Sequence, residues 1–300
     1  MDDAAAVSGI IYIGLGVTPI PIYLRMLWVL LTKSEFRKNE CFFLMSQVGI
    51  CDLLMICGQP VFGFTILTSH GLFGFTEYAA IPVFTFSWVA MLAISFVLSV
   101  NRLKVICDLH LPGCTVTVLL ILAWIFGFFF FFSYVTRLSP MVIVDGLALF
   151  YDTKVPYAMV VQKIEFYASM VFIGVSLAIY VFIITSLLAQ RCQSSVNTLS
   201  VHSGELKLLI LALIEFFSCA CLDMAWHFGD LFLPDSVWTG TAVNALIIFH
   251  CGWINPGLSL LLSRKLRRAV FGYCLQKNLV AGRSQLSIVA KDSSDRRRTS

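Results

Sequence analysis

Seven apolar stretches divide this chain, and each is long enough to cross a lipid bilayer as a helix. A helix rises about 1.5 Å per residue, so roughly 20 apolar residues cross a hydrocarbon core ~30 Å thick. The sequence therefore predicts an all-α membrane protein, a bundle of seven transmembrane helices. The predicted spans are Ser8–Leu31, Cys41–Leu67, Tyr78–Val100, Thr115–Thr136, Phe166–Ala189, Leu208–Leu231 and Val237–Leu262.

Composition supports this fold class and argues against soluble ones. Apolar residues make up 59% of the chain and charged residues 13%, against the ~25% charged residues of a typical soluble domain. The spans leave no room for a sizeable soluble domain beside them. The predicted organisation is a seven-helix membrane domain over residues 1–277 and a polar, disordered cytoplasmic tail over residues 278–300.

Basic residues between the spans predict the orientation. They accumulate on the side of the C-terminus and are sparse on the other side, which by the positive-inside rule places the N-terminus outside and the C-terminus in the cytoplasm. Their expected partner is the anionic surface of the bilayer, not nucleic acid. The predicted cytoplasmic side holds Lys33, Arg37, Lys38, Arg102, Lys104, Arg191, Lys207 and the basic residues from Arg264 to Arg298, and the outside holds Arg137, Lys154 and Lys163.

Several polar side chains fall inside predicted spans, where each is costly without a partner or a function. Asp52 in the second span and Glu215 in the sixth are predicted to point into the bundle. They act there as a buried polar switch or as protonated acids bonded to a neighbouring helix. Asp223, Trp226 and His227 share one helical stripe with Glu215, and they line a ligand cavity or form a polar seam between helices.

No motif indicates catalysis, a metal or a cofactor. The five histidines are isolated from one another. The chain contains no His-Glu-x-x-His, Cys-x-x-Cys, phosphate-loop or Gly-x-Ser-x-Gly motif. The protein is therefore predicted not to be an enzyme and to use no cofactor.

Two short motifs stand out, one at the predicted cytoplasmic end of the third span and one inside the seventh span. Arg102, after Asn101, is placed to bond across to the sixth span and to release it when that helix moves. Asn255-Pro256 frees backbone carbonyls in mid-helix and supplies a side-chain amide, which permits a kink. Each motif also has a simpler interpretation, a positive-inside anchor for Arg102 and a packing kink for Asn255-Pro256.

Together these motifs resemble those of rhodopsin-like G-protein-coupled receptors. Asn101-Arg102 is similar to their Asp-Arg-Tyr motif, with Asn in place of the acid. Asn255-Pro256 is similar to their Asn-Pro-x-x-Tyr motif, with Ser259 in place of the final Tyr. Asp52 falls where that superfamily keeps an acid in the second span, and Ser263–Tyr273 resembles its short amphipathic eighth helix.

The chain resembles the nematode serpentine chemoreceptors of class T (Srt) more closely still. Membership implies a receptor in the plasma membrane of a sensory neuron, including its cilia, that binds an external small molecule and couples to a heterotrimeric G protein. The resemblance extends roughly from Pro19 to Phe271 and is carried by Lys33–Met45, Gly49–Asp52, Asn101-Arg102, Phe150-Tyr151-Asp152 and His250–Arg267.

A receptor of this kind implies an apolar, aromatic pocket in the outer half of the bundle. That composition suits a small volatile or amphiphilic ligand better than a charged one. The candidate pocket residues are Phe84, Phe86, Trp88, Phe166, Tyr167, Asp223, Trp226 and His227.

The cysteines depart from the receptor pattern. None falls in a predicted outer loop, so the disulfide that usually clamps the third span to the second outer loop is not expected. Cys274, which follows the amphipathic segment, is a candidate for palmitoylation.

Two other classes of function stay open. A small-solute transporter or channel subunit would line its path with the acids of the sixth span. A structural or chaperone membrane protein would reach the cell surface and give no response to any ligand.

Overall fold

A computed structural model of the chain describes residues 3–68, 79–144, 148–152, 154–193, 199–234 and 236–272. These residues are nearly all helical. The helices are α1 (Asp3–Val17), α2 (Ile20–Thr32), α3 (Ser34–Arg37), α4 (Glu40–Thr68), α5 (Ile81–Ile106), α6 (Thr115–Val135), α7 (Pro156–Gln193), α8 (Leu199–Phe232), α9 (Val237–Phe249), α10 (Asn255–Leu262) and α11 (residues 264–272).

Six helical segments in the described chain are long and apolar enough to cross a membrane. The protein is therefore a helical membrane protein. Part of α8, which contains the predicted span Leu208–Leu231, lies outside the described side chains, and α8 is not among the six. The count of seven spans stays a prediction. The six segments are Asp3–Thr32, Glu40–Thr68, Ile81–Ile106, Thr115–Val135, Pro156–Leu187 and Trp238–Leu261.

Helix α5 is the centre of the bundle. In its most apolar stretch, 78% of the residues are buried, against 28% in α6 and 22% in α7, so those two helices are peripheral. The unbroken run Phe128–Phe132 of α6 illustrates this position, since Phe130 is fully buried while Phe128, Phe129 and Phe132 are exposed on the outer surface. In a bilayer, that outer surface contacts lipid.

Proline interrupts the first predicted span. Helix α1 ends at Val17 and α2 begins at Ile20, because Pro19 has no backbone N–H to continue the helical ladder. The amide of Tyr23 donates to the Pro19 carbonyl at 3.0 Å, so the second segment starts at once. The two segments together retain the length of one membrane span.

The seventh predicted span also changes direction. A π-helical turn, His250–Ile254, separates α9 from α10, and α10 begins at Asn255-Pro256. Gly252 lies in this turn, and a Cβ atom there would be only 2.8 Å from Cγ of Pro19. The irregular turns of the first and last spans are thus packed against each other, which requires glycine at this contact.

A two-stranded antiparallel hairpin follows α6, although the sequence predicted only helices. Strands β1 (Met141–Val144) and β2 (Ala148–Tyr151) pair in the register Met141↔Tyr151. The hydroxyl groups of Tyr151 and Tyr134 lie 2.9 Å apart, which fixes the hairpin to the end of α6.

The predicted start of the fifth span at Phe166 was wrong. Helix α7 begins at Pro156, a residue that favours the first turn of a helix because it has no N–H to satisfy. Polar residues between Tyr157 and Glu165 obscured this start in the sequence. The correction matters because it places Glu165 inside the bundle, where it is 2% exposed.

Residues 264–272 form the amphipathic helix α11, within the predicted segment Ser263–Tyr273. Leu266, Ala269 and Val270 are buried on one side. Arg264 and Arg268 are exposed on the other side. The rest of the C-terminal segment, including Cys274 and the predicted tail, lies outside the described residues.

Candidate functional site

Buried polar side chains form two groups at different depths in the bundle. The hairpin half is the half that contains β1, β2 and the starts of α5 and α7. The Arg102 half contains the end of α5 with Arg102 and the start of α4. The residues predicted to act as a switch lie in the Arg102 half, and those predicted to bind a ligand lie mainly in the hairpin half.

A hydrogen-bonded network centred on Asp52 joins three predicted spans. The Tyr23 hydroxyl donates to Asp52 Oδ2 at 2.7 Å, and the Asn255 side-chain amide donates to the same oxygen at 3.0 Å. Asp52 is 1% exposed. Because each side chain is on a different segment (α2, α4 and α10), this network fixes their relative positions.

A cavity of about 30 Å³ adjoins this network. It has room for water molecules but is far smaller than the ~300 Å³ or more of a typical ligand pocket. Asp52 Oδ1, which has no partner among the described residues, belongs to a residue that lines this cavity. Arg102, Glu215 and Ser259 also line it.

Arg102 and Glu215 interact across this cavity without forming an ion pair among the described residues. The Nε of Arg102 is buried and has no described hydrogen-bond partner. Asn101 is fully buried, and neither polar atom of its side chain has a described partner. Arg102 of α5 and Glu215 of α8 therefore face each other without a direct bond between them among the described residues.

A second cavity, about 40 Å³, lies between α5, α7 and α8. Glu215 lines this cavity as well as the first, so one carboxyl faces both spaces. The hydroxyl groups of Ser99 and Ser176 lie 3.4 Å apart beside it. Glu215 is thus at the centre of the polar features of this half.

Two exposed ion pairs lie at the Arg102 end, one between α5 and α4 and one between α11 and α3. Lys104 Nζ lies 3.1 Å from Glu40 Oε2, and Lys265 Nζ lies 3.4 Å from Glu35 Oε2. Such pairs contribute little to stability, since solvent screens them. They do locate the start of α4 and α11 beside their neighbours.

The hairpin half contains an acidic group of a different kind. Asp223 is fully buried, yet neither of its oxygens accepts a hydrogen bond of normal geometry from a described residue. His227 Nε2 is 3.9 Å from Asp223 Oδ1, too far for a hydrogen bond. The indole of Trp88 lies beside the same carboxyl.

Glu165 completes this group, and the sequence analysis missed it. Its Oε2 has no described partner, its carboxyl lies beside the Tyr134 hydroxyl, and Asp223 is close enough to act on it electrostatically. Ser169, one turn further along α7, is 1% exposed and has an unpaired hydroxyl among the described residues. The fifth span was predicted to begin at Phe166, one residue after Glu165, so Glu165 was left outside the predicted bundle.

The eight predicted pocket residues do not all face one space. Trp88, Phe166, Asp223 and His227 are brought together, and the Phe166 ring lies 5.1 Å from the imidazole of His227. Trp226 is partly buried against the core.

The other three predicted pocket residues point elsewhere. Phe84 packs toward Gly58 of α4, and Phe86 stacks on Phe128 of α6 at 5.6 Å. Tyr167 is 65% exposed on the outer surface.

Among the described residues, no group of three or more His, Cys, Asp or Glu side chains has the arrangement of a metal site. Cys219 Sγ lies 3.3 Å from His250 Nε2, and Cys251 Sγ lies 3.4 Å from Met55 Sδ. Each of these contacts joins only two buried side chains of the core.

Comparison with protein-family models and with curated proteins finds no match to this chain. The functional argument therefore rests on the residues and their geometry.

Proposed function

We propose that this protein is a G-protein-coupled chemosensory receptor, which binds an external small molecule and activates a heterotrimeric G protein. The observation that carries the proposal is the buried network of Tyr23, Asp52 and Asn255 beside a water-sized cavity lined by Arg102 and Glu215. This arrangement joins α2, α4 and α10 through direct hydrogen bonds, whereas Glu215 of α8 faces Arg102 without an ion pair among the described residues.

The proposed mechanism is a shift between two arrangements of α8. Among the described residues no ion pair joins Arg102 to Glu215, so their attraction acts across space and weakens gradually as α8 moves away from α5 in this half. A ligand that favours the separated arrangement shifts the population toward it. Arg102 then becomes accessible at the end of the bundle, where a G protein is expected to bind.

The π-helical turn His250–Ile254 supports this mechanism, because such turns occur frequently at functional sites. The turn begins with His250, which contacts Cys219 of α8 at 3.3 Å, and it is followed directly by Asn255, which bonds Asp52. A change in this turn would therefore reach both the Asp52 network and α8.

The proposed orientation is an outside N-terminus and a cytoplasmic C-terminus, with seven spans in the plasma membrane. The positive-inside argument places Arg102, Lys104 and α11 at the cytoplasmic face. Small tags at the two termini test it, detected in intact and then in permeabilised cells. Tags on the same side would mean an even number of spans and would contradict the receptor proposal.

The decisive experiment measures nucleotide exchange on each major class of Gα subunit in membranes that contain the full chain. Exchange is measured without ligand and then with a panel of volatile and amphiphilic compounds. We expect Arg102→Ala to lower exchange about tenfold or more. Surface delivery, followed through an N-terminal tag, should be unchanged.

Arg37→Ala is the matched control for that experiment. It removes a cation from the same end of the bundle, but Arg37 is exposed and lies outside the cavity. Equal loss in both variants would indicate a general effect of positive charge. No exchange on any Gα class from a protein that reaches the surface would overturn the proposal.

The buried acids favour one alternative, a small-solute transporter or channel subunit. In that case Asp223 and Glu215 would line the path, and neutralising either would stop transport in a vesicle uptake assay. A receptor would show no uptake in the first place, so the two functions are distinguishable.

A further inference from the structure

The acidic group of the hairpin half is buried without a lysine or arginine partner among the described residues, and its basic neighbour is His227. Glu165 is 2% exposed and Asp223 is fully buried. No lysine or arginine of the described chain is among the groups that act on either carboxyl. Burying an unpaired carboxylate in an apolar interior is expensive, so these groups need a proton or a cation from elsewhere.

Three carboxyl oxygens in this group accept no hydrogen bond of normal geometry from a described residue, although the Trp88 indole lies beside Asp223 and the Tyr134 hydroxyl beside Glu165. They are Oε2 of Glu165 and both Oδ1 and Oδ2 of Asp223. A primary ammonium group carries three N–H donors and a single positive charge. The number of vacant acceptors matches these three donors. The single positive charge balances one of the two carboxylates, and the other carboxyl keeps its proton.

The surroundings of the two acids also suit a cation. The Trp88 indole lies beside Asp223, and the Phe166 ring lies 5.1 Å from the imidazole of His227, so aromatic rings stand near the acidic group. Aromatic faces attract ammonium ions through the negative potential of the ring. His227 has an unpaired Nε2 and a side chain only 5% exposed, and it stands 3.9 Å from Asp223.

These residues lie at a similar depth. Trp88, Glu165 and Asp223 are 7, 9 and 9 residues from the hairpin ends of α5, α7 and α8. That corresponds to roughly 10–14 Å of helix, within reach of a small molecule entering from the hairpin end. Tyr151 of β2, bonded to Tyr134, connects the hairpin to the Glu165 carboxyl.

We propose that Glu165 and Asp223 together bind the ammonium group of a small primary amine, with its carbon skeleton against Trp88 and Phe166. The inference rests on the proposed receptor function and names the ligand class of that receptor. It replaces the expectation of an uncharged ligand, which was formed without Glu165. Neither of the two cavities of about 30 and 40 Å³ is lined by Glu165 or Asp223, so the proposed amine site is distinct from both.

The experiment measures thermal unfolding of the full chain in lipid nanodiscs with a thiol-reactive dye, which reports exposure of the buried cysteines. The probes are primary amines from ethylamine to 2-phenylethylamine at millimolar concentration, with 2-phenylethanol as the uncharged counterpart. We expect at least one amine to raise the unfolding temperature by several degrees and the alcohol to leave it unchanged.

Glu165→Gln and Asp223→Asn should each abolish this shift, since each removes charge while preserving side-chain shape. Glu40→Gln is the control, because it neutralises an acid at the Arg102 end whose side chain is 48% exposed, and it should keep the shift. The tetra-alkylated analogue phenethyltrimethylammonium, which has no N–H donor, should give a smaller shift than the primary amine.

Three results would overturn the inference. They are no shift with any amine, an equal shift with the alcohol, or a shift that persists in the Glu165→Gln/Asp223→Asn double variant. Stabilisation by acidic pH alone, without an amine effect, would mean that the two acids bind only protons. The unfolding assay measures binding and not signalling. A shift with an amine but no nucleotide exchange would therefore contradict the proposed receptor function and still support the amine site.

Discussion

The Arg102 half and the hairpin half of the bundle both bury carboxyl groups, but their carboxyls have different partners. Asp52 in the Arg102 half accepts two hydrogen bonds on one oxygen, from Tyr23 and Asn255. Asp223 in the hairpin half is just as buried and accepts none of normal geometry from the described chain. The first acid contributes to the fold, whereas the second is kept at a cost in stability.

This difference is typical of structural and functional polar groups. A buried polar group that has partners stabilises one arrangement of the helices, and one that lacks them indicates a requirement other than stability. The comparison therefore predicts opposite effects of substitution in the two halves.

The largest effect is expected for Asp52→Ala. It leaves the Tyr23 hydroxyl and the Asn255 amide without an acceptor, and each buried unsatisfied group is costly. We expect the free energy of unfolding to fall by about 3 kcal/mol, measured by denaturant titration in mixed micelles. Asp52→Asn is the control, because its single carbonyl oxygen can still accept both bonds, and it should lose far less. Equal losses would show that charge, not bonding, matters at this position.

A smaller loss is expected for Tyr23→Phe, which removes one donor and keeps the ring. The bond to Asp52 is 2.7 Å long. If it is a bond to a charged acceptor, its removal should lower the free energy of unfolding by about 1.5 kcal/mol. The same measurement on Asn255→Leu should give a similar loss. On the Asp52→Ala background Tyr23→Phe should instead recover part of the loss, because it removes the hydroxyl that was left without an acceptor. Additive losses would mean that the three residues do not act as one network.

In the hairpin half, neutralising a buried acid should not lower the free energy of unfolding, in contrast to Asp52→Ala. Glu165→Gln removes a charge that has no cation, so the free energy of unfolding should stay unchanged or rise by up to about 1 kcal/mol. The unfolding temperature without ligand gives the comparison with wild type. A loss as large as that of Asp52→Ala would indicate that Glu165 has a structural partner and would remove the contrast between the halves.

The smallest effect is expected at the surface of the Arg102 end. Lys104→Gln breaks the ion pair with Glu40, whose side chain is 48% exposed. The expected loss is at most about 0.5 kcal/mol and should disappear at high salt. A larger loss that is insensitive to salt would place this pair among the structural contacts of the bundle.

Much of the fold could be predicted from sequence because membrane spans depend on length and apolarity alone. Six of the predicted spans coincide with helices that are long and apolar enough to cross a bilayer. The motif Asn255-Pro256 also marked the seventh-span irregularity, since proline cannot donate to the helix. Asp52 was predicted to point into the bundle, and it does so.

The partners of the acids could not be predicted. The sequence near Asp52 does not indicate that its partner is Tyr23, which lies in a different helix. It also does not show that Asp52 is hydrogen-bonded whereas Asp223 is not. Glu165 was missed because the polar residues before Phe166 resemble a loop, although α7 continues through them. The orientation of Phe86 and Tyr167 was equally hidden, because lipid and protein interior are both apolar and hydrophobicity does not separate the two faces.

The sequence by itself determined that the chain is a helical membrane protein, because desolvated backbone polar groups must bond within each span. Only the tertiary structure decided which buried acid is satisfied and which is vacant. Hydrogen bonding depends on distances of about 3 Å between side chains on different helices, and those distances are fixed by how the helices pack.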